Sequence, residues 1–304
     1  MEKSITYTEF LGECGKLLQD RSQGEIRTEI CNTLKNNGVE KCGLLISKKG
    51  ESLAPNFYLQ HQYDIWRNGE STLDEIIDSI CENYTQELQK NRIIEEALDF
   101  RWENFQQEVY MRLIGREKNA LLLKDVPYEE YLDMALVYYY VIPVSDDTQG
   151  VLLLTQEHLK MLGITQEELH RKAKENTQEK LFPVISGLDE IILRLGAVKE
   201  DFIPDGENRP FMYIMTNAKA SFGAVCMTFH RELEQFSNEI KNSFYILPSS
   251  VHEVILVPDY RAVTVEAFSH MVKEINETHV EDTEVLSDSV YYYDREIHAV
   301  RRVG

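Results

Sequence analysis

From Tyr131 onward the sequence sets short apolar strand patterns in pairs, with few turn residues inside each pair and an amphipathic helix pattern after it. A connection that short can only reverse the chain, because a parallel neighbour needs a crossover of about a dozen residues or more. Antiparallel hairpins, not a doubly wound parallel sheet, are therefore expected. In the first copy residues 134–144 and 150–154 flank Ser145, Asp146 and Asp147. A helix follows Thr155, and a second opens at the Thr165 and Glu168 capping box. In the next copy residues 211–216 and 222–227 flank Asn217, and the helix after His230 places Leu233, Phe236 and Ile240 on one face. In the last, residues 244–247 and 253–257 flank Pro248, Ser249 and Ser250, before a helix over 264–276 striped by Val265, Phe268, Val272 and Ile275. Tyr291, Tyr292 and Tyr293 predict a closing strand. The copies are unlike in sequence, so they are either diverged strand-strand-helix repeats or separate hairpins with helices, which mixed folds often contain.

The N-terminal part reads in the same idiom. Tyr7, Phe10, Leu11, Cys14 and Leu18 share a helix face that ends before Gln23 and Gly24. Residues 26–34 and 39–47 flank Asn36, Asn37 and Gly38, which tolerate positive φ and predict a hairpin, with Lys48-Lys49-Gly50 closing its second strand. Residues 55–60 read as a short third strand. Thr72 and Glu75 then open a helix striped by Leu73, Ile76, Ile77, Ile80, Tyr84 and Leu88. Between 91 and 125 two patterns compete: Phe100, Trp102 and Phe105 suit a helix, whereas Val109, Met111 and Leu113 alternate as a strand. The expected class is α+β, with mixed or mostly antiparallel sheets built from hairpins and packed amphipathic helices. The expected portions are 1–130 and 131–304, as two parts or one continuous unit, with a loop or linker at 196–210.

Composition narrows the function classes. With 43% hydrophobic residues in 304, the chain can bury a core without disulfides or metal. Its 52 acidic against 32 basic residues leave a net charge of −20, which opposes a sequence-independent grip on nucleic acid or an anionic membrane. Cys14, Cys31, Cys42, Cys81 and Cys226 fit neither a disulfide framework nor a zinc site. The polar first ten residues lack a secretory pattern, and the longest apolar run, near 134–144, is too short to span a bilayer. A soluble, cytoplasmic protein with no metal or cofactor is expected.

Familiar catalytic signatures fail on inspection. Gly15-Lys16 lacks the upstream glycine and the following Ser or Thr of a phosphate loop; Leu256 stands where a zincin helix after His252-Glu253 needs its second histidine; Val184 and Leu188 replace the glycines of a nucleophile elbow around Ser186. What remains is Ser249, Ser250, His252 and Glu253, polar groups between two apolar strands, where strand alternation would carry His252 and Glu253 into the sheet. There His252 could act as a general base, or activate Ser249 or Ser250, if a third group orients its ring. The plainer alternative is that the serines build a turn while His252 and Glu253 satisfy local backbone groups. Asn217 and Ser221 could approach the same sheet end as ligand-binding groups, or serve only as turn residues. Tyr138, Tyr139 and Tyr140, like Tyr291, Tyr292 and Tyr293, could line a cleft, but more naturally fill a core edge with their hydroxyls near water. Arg295, Arg301 and Arg302 form a basic group too small to offset the acidic whole.

Several segments also carry a family likeness. Leu34-Lys35-Asn36-Asn37-Gly38-Val39, the Leu-Gly-Ile-Thr-Gln-Glu-Glu-Leu core within 158–176, Tyr245 through Leu256 with its Pro-Ser-Ser-Val-His-Glu string, and Leu286-Ser287-Asp288 with Tyr291-Tyr292-Tyr293-Asp294 resemble the bacterial family called domain of unknown function 5688. The likeness runs in order over nearly the whole chain. It implies a bacterial protein, similar to those of gut Firmicutes, built as one family unit, and it brings no activity, cofactor or catalytic residues with it. The leading expectation is a binding or regulatory protein without catalytic activity, meeting an unknown ligand or a basic protein partner through 249–253 or an acidic face. The alternative is a small hydrolase or transferase using the Ser/His/Glu cluster, and a structural part in a larger assembly is a third. Sequence does not address oligomeric state.

Overall fold

The computed structural model describes residues 5–48, 54–97, 99–143, 149–188, 212–248, 250–260 and 263–304. The expected turn 145–147, the loop or linker at 196–210, Lys49, Gly50 and Ser249 lie outside them. Two compact units emerge. Met1–Lys35, Val39–Asp99 and Ile142–Gly150 make one; Asn36–Gly38, Phe100–Val141 and Val151–Gly304 make the other.

In the first unit α1 (Tyr7–Arg21) starts at Thr6, whose hydroxyl accepts the Glu9 amide while the Glu9 carboxylate accepts the Thr6 amide. That reciprocal cap satisfies two of the four amides a helix start leaves bare. Strands β1 (Ile26–Leu34) and β2 (Glu40–Lys48) form the expected hairpin, in register from Ile26 opposite Lys48 to Leu34 opposite Glu40. Its turn needs Asn37 at φ 61° and Gly38 at φ 70°, the left-handed region Asn and Gly tolerate. The third strand shrinks to β3 (Asn56–Phe57), because α2 (Gln60–Arg67) begins within the stretch read as extended. No side chain caps α2, so it carries no start signal, yet Tyr63 and Trp66 are buried on it. Helix α3 (Leu73–Ala97) opens at the Thr72–Glu75 box as expected. Phe10, Leu11, Leu44, Ile46, Ile77 and Ile80 join these elements in one core.

The second unit resolves the competing patterns in sequence order, with α4 (Trp102–Phe105) followed by β4 (Val109–Gly115). Strand β6 (Met134–Pro143) lies between β4 and β5 (Tyr128–Tyr131), and β7 (Gln149–Leu153) also pairs with it. Helices α5 (Gln156–Leu162) and α6 (Gln166–Lys180) follow, the latter capped by Thr165 and Glu168. A six-stranded sheet is built from β8 (Pro183–Gly187), β9 (Tyr213–Asn217), β10 (Phe244–Pro248), β11 (Val254–Pro258), β12 (Tyr291–Asp294) and β13 (Ala299–Arg302). Its order is β13-β12-β10-β11-β9-β8, and all five neighbouring pairs are antiparallel. Helices α7 (His230–Ile240) and α8 (Val265–Thr278) bury the predicted stripes Leu233, Phe236, Ile240 and Phe268, Val272. The chain is α+β with antiparallel sheets.

One expected strand is overturned. Residues 222–227 do not pair with β9; Gly223–Thr228 is a 3-10 helix entered through Phe222 at φ 55°, and β8 takes the place beside β9. Ala224, Val225, Cys226 and Met227 are all fully buried, so an apolar run that sequence reads as a strand is buried as a helix instead. The middle copy is therefore not strand-strand-helix. The tyrosines also lie deeper than a core edge: Tyr138, Tyr291 and Tyr293 are fully buried, and Tyr291 gives its hydroxyl to Asp133 rather than to water.

Candidate functional site

The 248–253 connection meets the 217–222 turn at one end of the six-stranded sheet. Asn217, buried on the last residue of β9, shapes that turn: its Oδ1 accepts the amides of Lys219 (3.0 Å) and Ser221 (3.3 Å), and its Nδ2 donates to the Ser221 carbonyl at 2.7 Å. This clamp delivers the Phe222 amide to His252, donating to Nδ1 at 3.1 Å, with the two rings stacked 5.4 Å apart. Thr216 Oγ1 also donates to the His252 carbonyl at 2.8 Å. The connection and the turn are so close that a Cβ on Gly223 would lie 2.5 Å from the Asn217 amide nitrogen and 2.6 Å from the His252 carbonyl oxygen. Both neighbours are backbone and cannot swing aside, so Gly223→Ala is expected to cost about 1–3 kcal/mol. An unchanged thermal midpoint would contradict this packing.

Of the expected site residues, Ser250, His252 and Glu253 are brought together, with the Ser250 hydroxyl on Glu253 and not on the His252 ring. The Ser250 hydroxyl donates to Glu253 Oε1 at 2.9 Å and accepts the His252 amide at 3.0 Å, a turn in which the serine replaces a backbone acceptor. The His252 ring is engaged elsewhere. Because Nδ1 accepts a backbone amide, the neutral ring carries its proton on Nε2, which faces Glu284 Oε1 at 3.4 Å. Its lone pair therefore points at an N–H and not at a serine, and among the described residues no hydroxyl bonds the ring. Ser249 lies outside the described residues. Nor does His252 enter the strand: β11 starts at Val254, and His252 and Glu253 stay half-buried before it. Asn217 and Ser221 act here through the turn they build.

The result is an open groove of about 450 Å³ whose lining includes Ser250, His252, Glu253, His279 and Glu284. Sequence reasoning missed His279 and Glu284, which sit just beyond α8 and carry no motif. Among the described residues no three His, Cys, Asp or Glu side chains converge as metal ligands would.

A larger cleft of about 570 Å³ in the same unit is organised by Asp133, which lies in the tight β5–β6 turn. Tyr291 donates to its Oδ1 at 2.6 Å, Ser289 to its Oδ2 at 2.8 Å, and Arg302 lies 3.7 Å away. Burial pushes the Asp133 carboxyl up, but the Tyr291 and Ser289 hydroxyls, its own amide and Arg302 outweigh it and hold the group below its ordinary value. The cations here are already matched, Arg116 with Glu130 at 2.7 Å and Lys118 with Asp288 at 3.4 Å.

Fold and groove define an α+β protein of antiparallel sheets that carries a histidine- and glutamate-lined groove at one sheet end. The chain belongs to the family of unknown function DUF5688, whose model matches residues 7–295, as the quoted segments imply. No curated protein and no solved structure matches it. Among the described residues no helix is long and apolar enough to cross a membrane.

Proposed function

We propose that this is a binding or regulatory protein without catalytic activity, working in the cytoplasm of a Firmicute bacterium, and that the groove beside His252 takes a cationic segment of another protein. The engagement of the His252 ring carries the first part, since an imidazole that accepts a backbone amide at Nδ1 and faces a carboxylate from Nε2 has no lone pair to offer a substrate. The carboxylates of Glu253 and Glu284 at the groove, on a chain of net charge −20, favour a Lys- or Arg-bearing partner and would speed its approach. The cytoplasmic setting is supported by five free thiols; burial pushes those of Cys14 and Cys226 up to about 12, leaving them protonated and inert.

The test is fluorescence anisotropy with a labelled Lys/Arg-rich peptide. Saturable binding is expected, weakened roughly tenfold or more in the Glu253→Gln/Glu284→Gln variant and falling with added salt. Equal affinity in that variant would remove the groove from the proposal. Turnover of an ester or phosphoester panel that disappears in His252→Ala would replace binding with catalysis.

A further inference from the structure

Arg112 is the single charged residue in β4, whose other positions are Val109, Tyr110, Met111, Leu113, Ile114 and Gly115. Its guanidinium carbon lies 4.8 Å from the centroid of the Phe222 ring. Its Nε is sealed from solvent with no hydrogen-bond partner. Among the described residues no carboxylate pairs with it, and burial pushes its pKa down. In a chain where acidic residues outnumber basic ones 52 to 32, a half-buried arginine with no counter-charge among the described residues stands out. Arg116, Lys118 and Arg302 each have an acidic partner within 4 Å. A cation–π contact offsets only part of the cost of taking a charge out of water.

A second unpartnered group stands beside it. Tyr139 lies opposite Tyr110 in the β4–β6 register and Val137 opposite Arg112, so Arg112 and Tyr139 are diagonal neighbours on one face of the sheet. Tyr139 also meets Phe222, edge to face at 5.1 Å. Its hydroxyl makes no hydrogen bond among the described residues, and only Arg112 lowers its pKa against the larger effect of burial. Two donors without acceptors thus converge at one aromatic wall.

We infer that Arg112 and Tyr139 form an oxyanion-binding site, in which the guanidinium and the phenol O–H donate to a carboxylate or phosphate group of a ligand and Phe222 supports the guanidinium face. A planar fork matched to two acceptor oxygens is what arginine supplies and lysine does not. Phe222 also stacks on His252, so the site adjoins the His252 groove, but Arg112 and Tyr139 are not among the residues that line that groove and the site stands whether or not the groove binds a cationic partner.

Thermal unfolding of the whole protein tests it, with sodium phosphate and sodium succinate as probes against sodium chloride at equal ionic strength. A saturable rise of about 5–10 °C is expected at roughly 100 times the Kd of whichever oxyanion fits. Succinate alone acting would identify a carboxylate ligand, and phosphate alone a phosphate. Arg112→Met is expected to abolish the rise without lowering the anion-free midpoint, because it removes a charge that no carboxylate among the described residues compensates. Tyr139→Phe is expected to weaken the apparent Kd roughly tenfold or more at an unchanged midpoint. A rise that survives Arg112→Met, no rise with either oxyanion beyond chloride, or a midpoint several degrees lower in anion-free Arg112→Met would each overturn the inference, the last by showing that the chain itself supplies the counter-charge.

Discussion

Asp133→Ala is expected to destabilise the protein by about 2–4 kcal/mol in urea unfolding, the range for removing a half-buried carboxylate that accepts two hydroxyls. The loss removes the acceptor that now takes the Tyr291 and Ser289 hydroxyls on its two carboxylate oxygens at 2.6 and 2.8 Å, and leaves the buried Tyr291 hydroxyl only Ser287 Oγ at 2.9 Å. Arg302, 3.7 Å away, loses its counter-ion as well, but it is largely exposed and adds little. The effect should also depend on pH. The folded-state pKa of Asp133 lies below its ordinary value of 3.8, so its carboxylate stabilises the fold fully above about that pH. As the pH falls through the folded-state value, that contribution disappears. The stability gap between the natural protein and Asp133→Asn should therefore be constant near neutrality and close in acid. A gap of the same size at pH 2 and pH 7 would show that the charge of Asp133 does not matter and that only its shape does.

Asn217→Ala is expected to cost about 1–3 kcal/mol, since it deletes a buried side chain that accepts two amides and donates to one carbonyl of an otherwise exposed turn. Asn217→Asp keeps the acceptor but sets a carboxylate oxygen against the Ser221 carbonyl in place of the Nδ2 donor, and should cost at least as much. The larger consequence is at His252. The amide that holds its Nδ1 belongs to Phe222, the residue directly after the clamped Ser221. Imidazole nitrogen shifts should report a single Nε2-protonated ring in the natural protein and a mixture of tautomers in Asn217→Ala. A ring that stays in one tautomer with the clamp gone would mean that stacking on Phe222 alone orients it.

The two side chains differ in how far the sequence shows them. Asn217 was legible as a turn residue, and that is its role; what the pattern did not show is which group the turn aims at His252. Ser250, His252 and Glu253 were legible as polar groups between apolar strands, and they do gather at a groove. Their assignment to strand positions failed because β11 begins one residue after Glu253. Arg112 had a visible signal, a lone charge in an apolar strand, but Phe222 and Tyr139 reach it only through tertiary packing. Asp133 had none, for the hydroxyls that define it come from more than 150 residues away.

Local rules, acting over three or four residues, were enough to determine the helix starts at Thr6, Thr72 and Thr165, the Asn37–Gly38 hairpin turn, and the antiparallel α+β class. Short connections leave β1 and β2, β5 and β6, β10 and β11, and β12 and β13 no other way to pair. Tertiary structure alone decided that Gly223–Thr228 is helical, that β8 flanks β9, and that the His252 ring meets a backbone amide instead of a serine. The physical reason is that an apolar run gains the same burial as helix or strand, and a polar side chain takes whichever partner the packed core brings within about 3 Å.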